Sequence, residues 1–117
     1  MTIAIKRVYD SPAAGDGQRI LVDRLWPRGL SKEKAKVSLW LKEIAPSAGL
    51  RKWFGHDPAR WAEFQRRYRA ELDANTETAA ELRKALKHGP ATLVYGAHDT
   101  EHNQAVVLAA WLGGEQG

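Results

Sequence analysis

Four short stretches of the chain either alternate hydrophobic and polar residues or are almost entirely hydrophobic, which is typical of β-strands. They span residues 3–9, 20–25, 37–41 and 92–95. The β-branched side chain of Val8 suits a pleated, half-buried strand. The run from Thr92 to Tyr95 is nearly all apolar, as expected of a central strand that is covered on both faces.

A helical period replaces this alternation in the second half of the chain. One apolar stripe, with spacings of three and four, consists of Trp61, Phe64, Tyr68 and Leu72. Asp57 is a natural N-cap for this helix, and Pro58 fits its first turn. A second stripe predicts a helix over residues 76–88, which Gly89 and Pro90 would stop.

The last helix is predicted around residues 105–112, which are apolar on nearly every side and therefore suit a buried helix. Asp99 or Thr100 would cap it, and Gly113 would end it. Two shorter helices are also predicted, one at residues 31–36 with Ser31 as its cap and one near residues 50–54.

This order of elements predicts a small three-layer α/β domain, in which helices flank a mostly parallel sheet. The connection from the third strand to the fourth contains helices, and such a crossover joins parallel strands. We expect one domain over residues 1–113 and a short flexible tail at residues 114–117.

Composition narrows the class of protein further. The chain has 117 residues, of which 44% are hydrophobic, and this size suits one domain with its own core. The absence of cysteine excludes disulfides, thiolate metal sites and a cysteine nucleophile. No secretory pattern and no apolar run long enough for a membrane span are found, so we expect a cytoplasmic protein without a membrane partner.

Several segments, taken together, resemble the YeaO-like family, also called domain of unknown function 488. They lie at residues 6–10, 22–29, 42–47, 50–58 and 102–105. The most specific is the run Asp23-Arg24-Leu25-Trp26-Pro27-Arg28-Gly29. The resemblance covers nearly the whole chain. It implies a bacterial or archaeal protein without a settled biochemical activity, in a family linked by name to regulators and DNA-associated proteins.

Candidate binding residues follow from the sheet, because open α/β sheets bind ligands beyond the carboxyl ends of their strands. Ser47 and Tyr95 would lie at this edge. Arg24 and Arg28 flank Trp26, so the loop could clamp a carboxylate or phosphate against an aromatic wall. The alternative is that Arg24 pairs with an acidic residue while Trp26 packs into the core.

The histidines offer a second set of candidates. His98 and His102 are four residues apart, the spacing of two metal ligands on one helix face, but a third ligand is not evident and no metal site is predicted. His102 and Asn103 could instead donate to an anion at the start of the last helix, or Asn103 could simply bond a neighbouring loop. The candidates for acid–base catalysis are His56, His98 and His102.

Three functions remain open at this stage. The first is binding of a small anionic or phosphorylated ligand, with or without catalysis. The second is a non-specific nucleic-acid-associated or regulatory module, based on the net charge of +4 and the arginines at positions 60, 66, 67 and 69. The third is a metal-dependent hydrolase that uses the paired histidines. The sequence carries no cofactor fingerprint, and its tryptophans would suit a homo-oligomer interface.

Overall fold

A computed structural model describes residues 3–114 and arranges four strands in one sheet. The strands are β1 (Ala4–Arg7), β2 (Gln18–Leu21), β3 (Leu39–Trp40) and β4 (Ala91–Tyr95). Their order across the sheet is β1-β4-β2-β3, and every neighbouring pair is parallel. The prediction of a parallel α/β sheet is therefore confirmed.

Alternate side chains of the central strands point to opposite faces of the sheet. Ile20 and Leu93 enter the larger hydrophobic core on one face, whereas Leu21 and Val94 enter a smaller cluster on the other. All four are fully buried. Burial on both faces explains why the sequence of β4 is almost continuously apolar.

Five helices cover the two faces unequally. They are α1 (Lys32–Ala35), α2 (Ala48–Phe54), α3 (Trp61–Ala74), α4 (Thr76–Leu86) and α5 (Gln104–Gly114). Side chains from α2 to α5 build the larger core, while Ala35 of α1, together with Trp26 and Leu30, covers the opposite face. The result is a three-layer α/β arrangement with one thin layer.

Two helix starts follow the predicted capping chemistry. The hydroxyl of Ser31 accepts a hydrogen bond from the backbone nitrogen of Lys34 at 3.1 Å. Asp57 accepts from the nitrogen of Ala59 at 3.0 Å and caps a short 3-10 turn (Pro58–Arg60) that leads directly into α3. The stripe of α3 is buried at Phe64, Tyr68 and Leu72, as the spacing predicts.

The bounds of β2 correct the prediction of a strand at residues 20–25. The strand begins at Gln18 and includes Arg19, a charged residue that the hydrophobic pattern did not place in the strand. Arg19 is nevertheless only 3% exposed. Its guanidinium donates to Asp16 and to the carbonyl of Ala35, each at 2.8 Å, and Lys6 also lies 3.2 Å from Asp16. An N–H bond from Ala13 and these two cations lower the pKa of Asp16. The ion cluster therefore fastens the loop before β2 to the sheet.

The start of the last helix is a second correction, because α5 begins at Gln104 and its cap is Asn103 instead of Asp99 or Thr100. The Asn103 side-chain oxygen accepts from the nitrogen of Val106 at 3.2 Å. Asp99 accepts from the nitrogens of Glu101 and His102 at 2.9 Å, which stabilises a separate turn. Gly114 still belongs to α5, and the rest of the predicted tail lies outside the described residues.

Other element bounds differ by a few residues at their ends. β1 and β3 are shorter than the predicted strands at 3–9 and 37–41, and α4 ends before the predicted residue 88. Across residues 3–114, no helix has both the length and the apolar character needed to cross a bilayer.

Candidate functional site

A cleft of about 700 Å³ opens at the carboxyl ends of the parallel strands. One wall is the loop of residues 23–28, which follows β2, and another is residues 96–99, which follow β4. Residues 45–46, side chains from α2 and α3, and the start of α5 complete the lining. This is the edge at which open parallel sheets generally bind ligands.

Arg24 lines the cleft, but its donors are already engaged. Its Nε and Nη2 atoms donate to the carbonyls of Pro46 and Ala45 at 3.3 and 3.2 Å, and its Nη1 atom lies 3.9 Å from Glu43. The residue therefore bridges two walls of the cleft. This arrangement is close to the predicted alternative in which Arg24 has internal partners.

Arg28 and Arg51 are different, because their guanidinium groups line the cleft without a hydrogen bond or ion pair to any described residue. Both residues are exposed. Arg28 was predicted from the sequence, and Arg51 of α2 was not. The cleft therefore has two cations whose donors are available to a ligand.

Trp26 combines the two alternatives that the sequence left open. It is half-buried and packs edge-on against Trp40, with ring centroids 5.5 Å apart. Its indole N–H donates to the carbonyl of Leu30 at 2.7 Å, yet the residue still lines the cleft. The loop is held at its other end by Trp40, which donates to the carbonyl of Asp23 at 2.7 Å.

Asp23 is a cleft residue that sequence reasoning did not select. Its Oδ2 atom accepts from the backbone nitrogen of Gly96 at 2.9 Å, and its Oδ1 atom accepts from the side chain of Gln104. Burial raises the pKa of this carboxyl, although both hydrogen bonds and the charges of Arg51 and His56 oppose the shift. Its position directly after a buried strand was the signal that could have identified it.

His56 and His98 both line the cleft. His56 has a left-handed backbone with φ of 57°, and its ring lies 6.1 Å from that of Phe54. His98 has its Nδ1 atom 3.5 Å from the guanidinium of Arg7, which also donates to the carbonyl of Ala97 at 2.8 Å. Arg7 therefore anchors the loop that carries His98.

Tyr9 connects the two sides of the cleft mouth. Its hydroxyl donates to the carbonyl of Arg28 at 2.9 Å, and the Arg7 guanidinium lies 5.1 Å from the centre of its ring. Together these contacts join β1, the Arg28 loop and the loop after β4. Hydrogen bonds and a cation–π contact therefore hold the two loops beside Tyr9 in place.

His102, unlike His98, does not line the cleft. Its Nδ1 atom lies 2.9 Å from Asp99, and its ring packs edge-on against Trp61 at 5.2 Å. Bonds from the nitrogens of Glu101 and His102 lower the pKa of Asp99. Among residues 3–114, no group of three or more histidines and carboxylates could hold a metal ion. The paired-histidine hydrolase gains no support from this geometry.

Asn103 and Tyr95 are both buried. Asn103 lines the cleft but is only 2% exposed, and its amide nitrogen donates to the carbonyl of Asp99 at 2.9 Å. Tyr95 is buried and does not line the cleft, and burial raises the pKa of its hydroxyl, which Asn103 contacts. The two residues support the floor of the cleft instead of presenting free donors.

Ser47, a predicted binding residue, does not line the cleft. It caps α2 by accepting from the nitrogen of Leu50 at 3.2 Å, and its hydroxyl donates to Glu71 at 2.6 Å. Pro46, the residue before it, does line the cleft. A serine that precedes a helix is more simply a cap.

Three of the four arginines proposed as a basic face, Arg60, Arg66 and Arg67, have internal partners. Arg66 and Arg67 both bond to Glu63, and their hydrogen bonds lower the pKa of that carboxyl. The Arg67 guanidinium also lies 4.3 Å from the centre of the Trp53 ring, and Arg60 donates to the Trp53 carbonyl. These internal contacts weaken the case for a nucleic-acid surface on this helix.

Comparisons with known proteins agree with the resemblance in the sequence. The family model described as "Inactive DUF488-N3 subclade" matches residues 2–116. The Escherichia coli protein named "Uncharacterized protein YeaO" is 46% identical over 112 residues, which cover 96% of this chain and 97% of that protein. "Uncharacterized protein Rv3073c" of Mycobacterium tuberculosis is 41% identical over 96% of this chain and 94% of its own length. No solved structure matches the chain.

Proposed function

This chain belongs to the YeaO-like DUF488 family, and on that premise we propose that its cleft binds a small anionic or phosphorylated ligand. The observation that carries the proposal is that Arg28 and Arg51 both line the cleft, while their guanidinium groups make no hydrogen bond or ion pair with a described residue. A planar guanidinium offers several donors in the geometry of a carboxylate or phosphate.

The size and lining of the cleft support a small molecule. A volume of about 700 Å³ lies within the range of ligand pockets, roughly 300–1,000 Å³. The lining includes the aromatic residues Trp26, Phe54 and Phe64 together with a few polar residues. Such a mixture is typical of pockets that bury an organic ligand and orient it with a few polar contacts.

Binding without turnover is the form of this function that we favour. The matching family model carries the word "inactive" in its description. His102, which bonds to the Asp99 carboxylate, is not part of the cleft lining. His56 and His98 are part of it, but neither makes a hydrogen bond or ion pair with a carboxylate among the described residues. We also infer a cytoplasmic location from the cysteine-free sequence.

Calorimetry with inorganic phosphate, simple phosphate esters and dicarboxylates tests the proposal. We expect at least one of these anions to bind the wild type, and Arg28→Ala or Arg51→Ala to weaken binding about tenfold or more. Arg66→Ala is the matched control, because Arg66 is exposed on α3 away from the cleft. Equal loss in the control, or no binding by the wild type, would contradict the proposal.

A further inference from the structure

The carboxylate of Asp23 is the cleft group that an anionic ligand alone does not explain. It lies in the same cavity as Arg28 and Arg51, where its negative charge opposes anion binding. It makes no ion pair with a described residue, and both of its hydrogen-bond partners, Gly96 and Gln104, are neutral donors. Asp23 is partly buried, and removing a charge from water without an ion-pair partner costs free energy.

The internal contacts of Asp23 do not require a carboxylate. An asparagine could accept from the nitrogen of Gly96 with its oxygen and, if the Gln104 amide turned over, donate to Gln104 with its nitrogen. An ionised carboxylate, by contrast, can accept about four hydrogen bonds. Two of these positions are used, so acceptor capacity remains on a group that lines the cleft.

We propose that Asp23 is a specificity-determining residue, which accepts a hydrogen bond from an N–H group on the same ligand whose anionic group contacts Arg28 and Arg51. The inference rests on the proposed function and narrows its ligand class. The ligand is an anion that also carries an ammonium, amino or ring N–H donor. The anionic group of the ligand then contacts the two arginines, and its N–H donor contacts the carboxylate.

Matched pairs of phosphate esters test this assignment on the intact protein. The first pair is O-phosphoethanolamine against monoethyl phosphate, and the second is adenosine monophosphate against purine riboside monophosphate. In each pair only the first compound carries the added N–H donor. For at least one pair we expect the wild type to bind the first compound about tenfold more tightly, as a hydrogen bond to a charged acceptor implies.

In the variant Asp23→Asn, the affinities for the two members of a pair should change in different directions. Removing the negative charge favours every anion, so the donor-free phosphate should bind as well as before or better. The donor-bearing phosphate should bind less tightly, because it loses its charged acceptor. Damage to the fold would weaken both compounds together, so opposite changes identify the specific contact. Asp10→Asn, an exposed residue that does not line the cleft, is the control for charge removal.

Each outcome separates this inference from the proposed function. If the wild type binds both members of each pair equally, Asp23 has no role in specificity although the anion site stands. The same conclusion follows if Asp23→Asn keeps the wild-type preference. If no phosphate ester binds and the anion series is also negative, the anion site itself is absent, and the inference falls with it.

Discussion

The carboxylate of Asp23 lies so close to Gly96 that a Cβ atom added there would be 2.8 Å from its Oδ2 atom. The two residues follow the neighbouring central strands β2 and β4, and the bond between them closes the floor of the cleft. The absence of a side chain at position 96 and the carboxylate at position 23 therefore depend on each other.

Gly96→Ala tests this dependence. The added methyl group must displace the Asp23 carboxylate, and overpacking of this kind costs about 1–2 kcal/mol of unfolding free energy. In an Asp23→Ala background the same change should cost much less, because the clashing oxygen is absent. Urea denaturation of the two single variants and the double variant measures the coupling. Equal costs of Gly96→Ala in both backgrounds would show that the two positions are independent.

The pH dependence of stability should change in Asp23→Asn. Burial raises the folded-state pKa of Asp23 above its ordinary value of 3.8, so the folded protein holds this proton more tightly than the unfolded chain. The stability contributed by the Asp23 proton is therefore complete below the ordinary pKa of 3.8, which applies to the unfolded chain. It is lost as the pH rises through the folded-state pKa.

Urea unfolding of both proteins from about pH 3.5 to about pH 7 measures this linkage. We expect the stability of the wild type relative to Asp23→Asn to fall as the pH rises. Groups whose pKa is lowered, such as Asp16 and Asp99, are common to both proteins and cancel in the comparison. A difference that grows with pH would have the wrong sign for a buried carboxyl.

His56→Gly should stabilise the fold. The left-handed backbone of His56, with φ of 57°, is costly for residues with a side chain and natural for glycine. We expect a gain of about 0.5–1 kcal/mol in the free energy of unfolding. Lys36→Gly is the matched control and should be stabilised in the same way, because Lys36 has φ of 48° and lies outside the cleft. A loss of stability confined to His56→Gly would mean that packing of the imidazole on Phe54 outweighs the backbone strain.

Asn103→Ala should destabilise the protein by about 1–2 kcal/mol, the upper part of the range for a lost N-cap. The buried amide caps α5 and also bonds the carbonyl of Asp99, so both contacts are lost together. Ser31→Ala, which removes the cap of the four-residue helix α1, should cost less. Thermal unfolding of the two variants measures the difference. A larger loss of stability from Ser31→Ala than from Asn103→Ala would contradict this prediction.

The fold could be predicted where the hydrophobic pattern is strong. The stripe of α3 and the apolar run of β4 identify their elements because tertiary burial follows the same period as the sequence. The start of β2 could not be predicted in this way. Arg19 is buried through contacts with Asp16 and Ala35, and a single-residue hydrophobic pattern contains no information on such partners.

The sequence could predict the location of the cleft, but only some of the residues that line it. Arg24, Trp26 and Arg28 stand together in the chain, so their convergence on one cleft follows from a single loop. Arg51 comes from a separate helix, and its place in the cleft depends on how α2 packs against α3. Ser47 and His102 do not line the cleft, because Ser47 caps α2 and the ring of His102 packs on Trp61.

The strand order also determines when this molecule can acquire its shape. Both β1 and β2 pair with β4, whose residues are made after those of both partner strands and of four helices. Among the strand pairings of the described residues, only that of β2 with β3 joins segments that both precede residue 91. In a nascent chain, β1 therefore has no pairing partner until residues 91–95 have left the ribosome, which lengthens its exposure to chaperones and proteases.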